Sequence, residues 1–226
     1  MNTERSPKSS QAKARFAGLF YAITIAAGLF AEIGVRAAFR SDDALSIGAN
    51  GTFYRVGELA DIIMLCSYLA VTTLLYELFE PTSRQLSLLA AAFSMIGIAM
   101  LASNGLLHMA PLALIERTRQ CTGGCDVTVA TLLDLHGKVY GISLIFFGIY
   151  CLLIGWLAIR SRSIPIAVGI AMMIGGASNL VTKVAGVLDP DLAFPKLVTV
   201  LPLFGEATLA VWLLLFGMRR LGREAA

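Results

Sequence analysis

Three stretches of this chain run for about 20 residues without a charged side chain, which is the length a helix needs to cross the apolar core of a bilayer. They are Leu86–Leu107, Val139–Ile159 and Ile164–Thr182. Three more apolar stretches reach spanning length only if they include charged residues: Phe16–Phe39, Phe53–Phe79 and Leu197–Met218. The pattern predicts an all-α, multi-pass membrane protein with six transmembrane helices in one up-down bundle.

Composition favours this fold over a soluble one. Hydrophobic residues make up 57% of the chain and charged residues 15%, whereas soluble domains carry about 25% charged residues. Short buried helices in a soluble protein are the alternative, but the segments between the apolar runs have no matching polar faces. A cleaved signal peptide is disfavoured because no small-x-small site precedes Glu32. No basic run interleaves with aromatic residues, so nucleic acid is not an expected partner.

Short and long links between the spans alternate, which places all the long links at one face of the membrane. The long links are Arg40–Thr52, Glu116–Thr128 and Leu188–Pro195. With the N-terminus inside, ten basic residues are cytoplasmic and four are external, as the positive-inside rule requires. The ten are Arg5, Lys8, Lys13, Arg15, Arg84, Arg160, Arg162, Arg219, Arg220 and Arg223, and the four are Arg40, Arg117, Arg119 and Lys196. We therefore expect both termini in the cytoplasm and, if the source is a bacterium, the bundle in its inner (plasma) membrane.

The domain organisation follows from these boundaries. We expect a mobile cytoplasmic tail over residues 1–14, one transmembrane domain over 15–220 and a short tail over 221–226. Cys121 and Cys125 fall on an external loop, where a disulfide is the favoured interpretation and a metal or redox pair the alternative. Cys66 and Cys151 lie within spans and are expected to be small core residues.

Polar residues within the spans concentrate in the half predicted to be external. Each span contributes to this set, which comprises Glu32, Arg36, Arg55, Glu58, Asp61, Asn104, His108, Asp134, Lys138, Asn179, Lys183 and Glu206. Several members are spaced i, i+4 and so share a helix face. His136 points about 160° away from Asp134 on a 3.6-residue helix, toward the face of Tyr140.

Charges in a bilayer face the bundle interior, pair with each other or line a wet cavity. Five acids and four bases within the spans are nearly balanced, which suits a paired network. Glu206 favours a pocket because Pro202, one turn earlier, leaves the Val198 carbonyl without its helical partner, and such groups are tolerated where they line a cavity. Gly137, Gly141, Gly148 and Gly155 form a stripe that predicts close packing in the bundle, with self-association as a homo-oligomer the alternative.

Several segments resemble the bacterial membrane family known as domain of unknown function 4386. They are Ala17–Tyr21, Phe30-x-Glu32, Arg55-x-Gly-x-x-x-Asp61, Leu86–Phe93, Phe146–Gly148, Gly155, Arg160–Ser161 before Pro165, and Gly205–Glu206 before Trp212. The resemblance covers about residues 15–218 and implies six helices with no assigned activity. The family often has a basic residue where this chain has Ser94.

Three functions remain open from the sequence. The first is binding or transport of a small polar, ionic or zwitterionic ligand in an external pocket. The second is an intramembrane enzyme that uses Glu32, Asp61 or Glu206 as acid or base, with a metal on His108 and His136 or a haem between them as weaker variants. The third is a structural or partner-binding membrane subunit, in which the charges serve folding alone. No cofactor is identified.

Overall fold

A computed structural model describes residues 7–39, 44–118, 125–189 and 192–218, and within these ranges the regular structure is helical throughout. Seven α-helices occur in them: α1 Pro7–Leu29, α2 Ala44–Ala49, α3 Gly51–Phe79, α4 Arg84–Thr118, α5 Cys125–Ser161, α6 Ile166–Leu188 and α7 Lys196–Leu215. A π-helical turn, Phe30–Val35, and a 3-10 turn, Arg36–Phe39, extend α1. Apart from α2, each helix is long and apolar enough to cross a membrane, which confirms the six predicted spans.

The six spanning helices form a closed ring in which neighbours in sequence pack together and α7 packs back on α1. The start of α1 lies beside the end of α7, since the Gln11 amide donates to the Phe216 carbonyl over 2.7 Å. The start of α1 also meets the end of α3, where Lys13 pairs with Glu77. We call this end of the bundle, which carries both chain termini, the terminal end, and the opposite one, which carries the three long links, the loop end.

Large apolar side chains cover the outside of the ring. Ile33, Leu106, Leu197 and Phe204 are each more than 60% exposed. In water such a surface would be unfavourable, whereas hydrocarbon is its natural surrounding. The exposed face therefore agrees with a bundle embedded in lipid.

The links at the loop end are more helical than the sequence predicts. Helix α2 lies within the predicted loop Arg40–Thr52, and α4 and α5 extend into the predicted loop Glu116–Thr128. With 35 and 37 residues, α4 and α5 are each longer than about 50 Å, well beyond a hydrocarbon core of about 30 Å. Their extensions are stabilised by a second apolar core, the loop-end core, which comprises Val35, Phe39, Ile47, Tyr54, Leu112 and Val129.

Helix α1 likewise begins at Pro7, inside the segment predicted as a tail, so residues 7–14 are helical. Residues 1–6 and 219–226, which include the first six residues of the predicted N-terminal tail and the whole predicted C-terminal tail, lie outside the described ranges.

Glycines bring α5, α6 and α7 into backbone contact. A Cβ atom at Gly155 would lie 2.6 Å from the Gly169 carbonyl oxygen, and one at Gly175 would lie 2.9 Å from the Pro202 Cα. The close packing predicted for the glycine stripe is therefore confirmed at Gly148 and Gly155. It is wrong for Gly137 and Gly141, where an added Cβ would meet no atom within 4 Å, because the close seam between α5 and α6 ends at Gly148.

The two ends of this stripe make a matched pair of substitutions. We expect Gly155→Ala to lower the free energy of unfolding by about 1–3 kcal/mol, because the new methyl group overlaps the backbone of α6. Gly137→Ala should be neutral or stabilising by up to about 1 kcal/mol, since alanine is the better helix former and the space is open. Thermal unfolding of the two purified variants in one detergent compares them, and equal effects would contradict the packing described here.

Candidate functional site

A buried ion cluster joins α1 to α3 near the loop end. Arg36 donates from Nε to Glu32 Oε2 over 2.8 Å and from Nη1 to Asp61 Oδ2 over 2.5 Å, with Nη2 at 3.3 Å from Asp61 Oδ1. The Arg36 and Asp61 side chains are each 14% exposed. Bidentate pairing of this kind is the strongest that an arginine makes with a carboxylate. One guanidinium thus serves two of the predicted site carboxylates.

The π-helical turn places the cluster. Residues Phe30–Val35 follow i→i+5 geometry, and such turns concentrate at functional sites. Within the turn Val35 packs on Gly57 of α3, where an added Cβ would lie 2.9 Å from Val35. That close approach lets Arg36 reach across to Asp61. The i, i+4 spacing predicted the Glu32–Arg36 pair, but nothing in the sequence signals the π turn.

Beside the cluster, α4 and α5 exchange hydrogen bonds. The Asn104 amide donates to the His136 carbonyl over 3.1 Å, and His136 Nδ1 lies 3.3 Å from the Asn104 carbonyl. His136 and Tyr140 line the interior, as their shared helix face predicts. His108 is fully buried and stacks on Tyr54, with ring centroids 4.3 Å apart.

A small cavity of about 20 Å³ lies among Arg36, Asp61, Asn104 and His136. Glu58 also lines it, with its carboxylate against Gly105 of α4. Glu58 Oε2 and Asn104 Oδ1 are buried and have no hydrogen-bond partner among the described residues. Because one water needs about 10–15 Å³ and two or more polar partners, the cavity has the size and lining for a single water.

A larger cavity of about 240 Å³ lies between all six spanning helices. It shares Met64, Leu101 and Tyr140 with the small cavity. Its wall is mostly apolar, with charged groups from Glu32, Lys183 and Glu206, and further polar residues at Thr24, Tyr68, Asn179, Thr182 and Thr199. The structure therefore brings together predicted site residues from α1, α6 and α7 around one partly open space.

Glu206 lies deeper than the ion cluster. It occupies the middle of α7, and its Oε1 accepts hydrogen bonds from the Tyr68 hydroxyl at 3.2 Å and the Cys151 thiol at 3.4 Å. Tyr68 is two helical turns beyond Asp61 on α3, about 10 Å along the axis. The charged residues therefore occupy two levels, and the cavity connects them. Cys151 is buried as predicted, but it contacts the site as well as the core.

The carbonyl freed by Pro202 does not line the cavity, contrary to prediction. The Ser178 hydroxyl of α6 donates to the Val198 oxygen over 2.5 Å. The backbone of Pro202 also packs on Gly175. A neighbouring helix therefore satisfies the proline kink, as is common in membrane bundles.

Four predicted site residues line neither cavity: His108, which is buried against Tyr54, and Arg55, Asp134 and Lys138. Asp134 and Lys138 pair with each other over 2.6 Å, with side chains 60% and 66% exposed. Arg55 pairs with Glu116 of α4 over 2.6 Å, and both are about half exposed. Neither pair lines the two cavities. On α5, Asp134 and Lys138 lie on the face opposite His136, and on α3 Arg55 lies on a different face from Asp61, so these charges point outward. The extension of α4 supplies Glu116, the partner of Arg55.

Metal and disulfide chemistry gain no support from the described residues. Within them, no group of three His, Cys, Asp or Glu side chains could hold a metal ion. The His108 and His136 ring centroids are 5.4 Å apart. Cys121 lies outside the described ranges, so the predicted disulfide with Cys125 stays a prediction. Cys66 is exposed on the outer face of α3, which corrects its assignment to the core.

The inward-facing charges do not balance. Four carboxylates border the two cavities, from Glu32, Glu58, Asp61 and Glu206, against two cations, from Arg36 and Lys183. The predicted near balance of acids and bases is wrong because two of the four bases, Arg55 and Lys138, point outward, whereas only one of the five acids, Asp134, does so. The interior is therefore acidic, and Glu206 forms no ion pair with a residue in the described ranges.

Substitutions of Arg36 and Arg55 test whether the ion cluster stabilises the bundle. We expect Arg36→Met to lower the free energy of unfolding by about 3–5 kcal/mol, because it leaves Asp61 buried without a cation. Arg55→Met removes an exposed pair and should cost at most about 1 kcal/mol. Adding Asp61→Leu to Arg36→Met should restore part of the loss. Denaturant or thermal unfolding gives the values, and similar costs for the two arginines would show that the cluster does not stabilise the bundle.

The comparisons with known proteins agree with this architecture. A family described as a domain of unknown function (DUF4386) matches residues 16–217. Searches of curated proteins and of solved structures found no match. The family match reaches all six spanning helices and both levels of the site, which confirms the resemblance seen in the sequence. The chain belongs to the DUF4386 family.

Proposed function

We propose that this protein binds a small amphiphilic molecule inside the membrane, in the cavity that its six spanning helices enclose. The observation that carries the proposal is the cavity of about 240 Å³, which has an apolar wall and polar groups at two levels. Ligand sites have this character, with a largely apolar lining and a few placed polar groups. Charges that served folding alone would not require a cavity of this size beside them.

The size of the cavity limits the ligand. A cavity of about 150 Å³ admits benzene, and drug-sized ligands occupy about 300 Å³ or more. The proposed ligand therefore has on the order of ten non-hydrogen atoms.

The position of the apolar core supports entry of the ligand from the loop end. Toward the terminal end, the space beyond Glu206 is filled by the main apolar core, which includes the fully buried Tyr21, Leu75, Leu209 and Leu213. Toward the loop end, the cavity reaches the exposed Thr199 and the half-exposed Glu32. The distribution of basic residues makes this loop end the external face of a bacterial inner membrane. The site proposed here is thus a receptor-like or outward-facing transport site.

Three probes of similar size test the proposal: phenethylamine, phenethyl alcohol and phenylacetate. We expect at least one of them to raise the melting temperature of the purified protein by about 3 °C when it is near saturation. The double variant Thr24→Phe, Thr182→Phe should lose this response, because both side chains line the cavity and their hydroxyls bond only within their own helices.

Thr73→Phe is the matched control. Thr73 makes the same bond to the preceding turn but is exposed outside the cavity. This variant should respond to the probes as the wild type does. If no probe stabilises the wild type, or if the double variant responds equally, the cavity is not a binding site of this class.

A further inference from the structure

The acidic interior identifies the chemical class of the ligand. We infer that the cavity takes an organic ammonium ion, with its cationic head at Glu206 and its apolar body toward Met64, Leu101 and Leu144. This inference rests on the proposed ligand-binding function and adds the sign and position of the charge. Three independent features of the described residues carry it.

The first feature is the incomplete pairing of Glu206. Its Oε1 receives donors from Tyr68 and Cys151, which are a neutral hydroxyl and a weak thiol donor. An ionised carboxylate in apolar surroundings is stable only when a cation or several good donors compensate it. Arg36 is already committed to Glu32 and Asp61. A cation supplied by the ligand would complete the environment of Glu206.

The second feature is the aromatic wall of the cavity. Tyr68, Tyr140 and Phe147 line it, and the rings of Tyr68 and Phe147 stack with centroids 4.8 Å apart. Tyr21 and Tyr150 support Tyr68 from behind, with centroids 5.7 Å and 5.9 Å away. Aromatic rings around a site attract ammonium groups through their negative faces, and more strongly where water is excluded. A carboxylate with such rings is a characteristic ammonium site.

The third feature is the position of Lys183. Met172 of α6 packs against Gly205 of α7, and the two helices run antiparallel, so Glu206 is level with Ala171. Lys183 lies twelve residues further along α6, about 18 Å toward the loop end. A ligand of about ten atoms with its head at Glu206 does not reach the Lys183 backbone level. No ion pair joins Lys183 to Glu206 among the described residues, so Lys183 does not neutralise Glu206.

The net charge of the interior agrees with this assignment. Four carboxylates against two cations give a negative potential between low-dielectric walls, which concentrates cations. Phenylacetate would meet this potential as a repelled anion, while phenethyl alcohol would be indifferent to it.

Titration of the wild-type protein with the three probes, followed by ligand-observed NMR, tests the inference without any mutation. Phenethylamine should bind with a Kd at least about tenfold below those of phenethyl alcohol and phenylacetate. Glu206→Gln should reduce the preference for the amine to less than about twofold, because the shape remains and the charge is lost. Glu206→Asp should keep the preference, which covers the case in which the amide variant does not fold.

Glu116→Gln is the matched control, since Glu116 lies in an exposed pair outside the cavity. It should retain the full preference for phenethylamine. Binding of phenethyl alcohol or phenylacetate as tight as that of the amine, lost in the Thr24→Phe, Thr182→Phe variant, would overturn the ammonium assignment and leave the binding function intact. An amine preference that survives Glu206→Gln would place the cation elsewhere and also overturn it. Failure of all three probes would overturn both.

Discussion

The cost of placing a charge in hydrocarbon governs the interior of this bundle. Arg36 has the strongest requirement for a counter-charge, because a guanidinium keeps its charge under all ordinary conditions. Its bidentate contact with Asp61 and its bond to Glu32 tie α1 to α3 and fix the π-helical turn between them. Once these three side chains are paired, no arginine among the described residues remains for the deeper carboxylate. The acidic character of the cavity therefore follows from how Arg36 is used.

Backbone packing and charge pairing stabilise different parts of the molecule. Glycines on α5, α6 and α7 let those helices touch, and Ser178 satisfies the carbonyl that Pro202 frees. On the opposite side of the ring, α1, α3 and α4 are joined by polar contacts, among them the buried Thr72–Ser94 hydroxyl pair at 2.6 Å. Ser94 therefore serves packing between α3 and α4. The cavity lies where the closely packed half and the polar half of the ring meet.

The sequence was sufficient for the spans and for much of the inner face. Apolar runs of spanning length, three of them free of charge and three with a few charged residues, are satisfied in lipid by helices, so six helices could be predicted. Spacing placed Glu32 with Arg36 and separated His136 from Asp134. Depth and partner choice could not be predicted, because they depend on helix rotation and on extensions beyond the bilayer. The π turn, the Arg55–Glu116 pair and the contact of Cys151 with Glu206 all arise from tertiary packing.

An experimental structure of the full chain in lipid nanodiscs with phenethylamine tests the central claim most directly. The claim is that the cavity between the six helices presents an uncompensated carboxylate to a small cation. The account predicts density for the amine among the six helices, with its nitrogen about 3 Å from a Glu206 oxygen and with Arg36 still on Asp61 and Glu32. A cavity filled by protein side chains, or Glu206 paired with a cation of the chain itself, would contradict the claim.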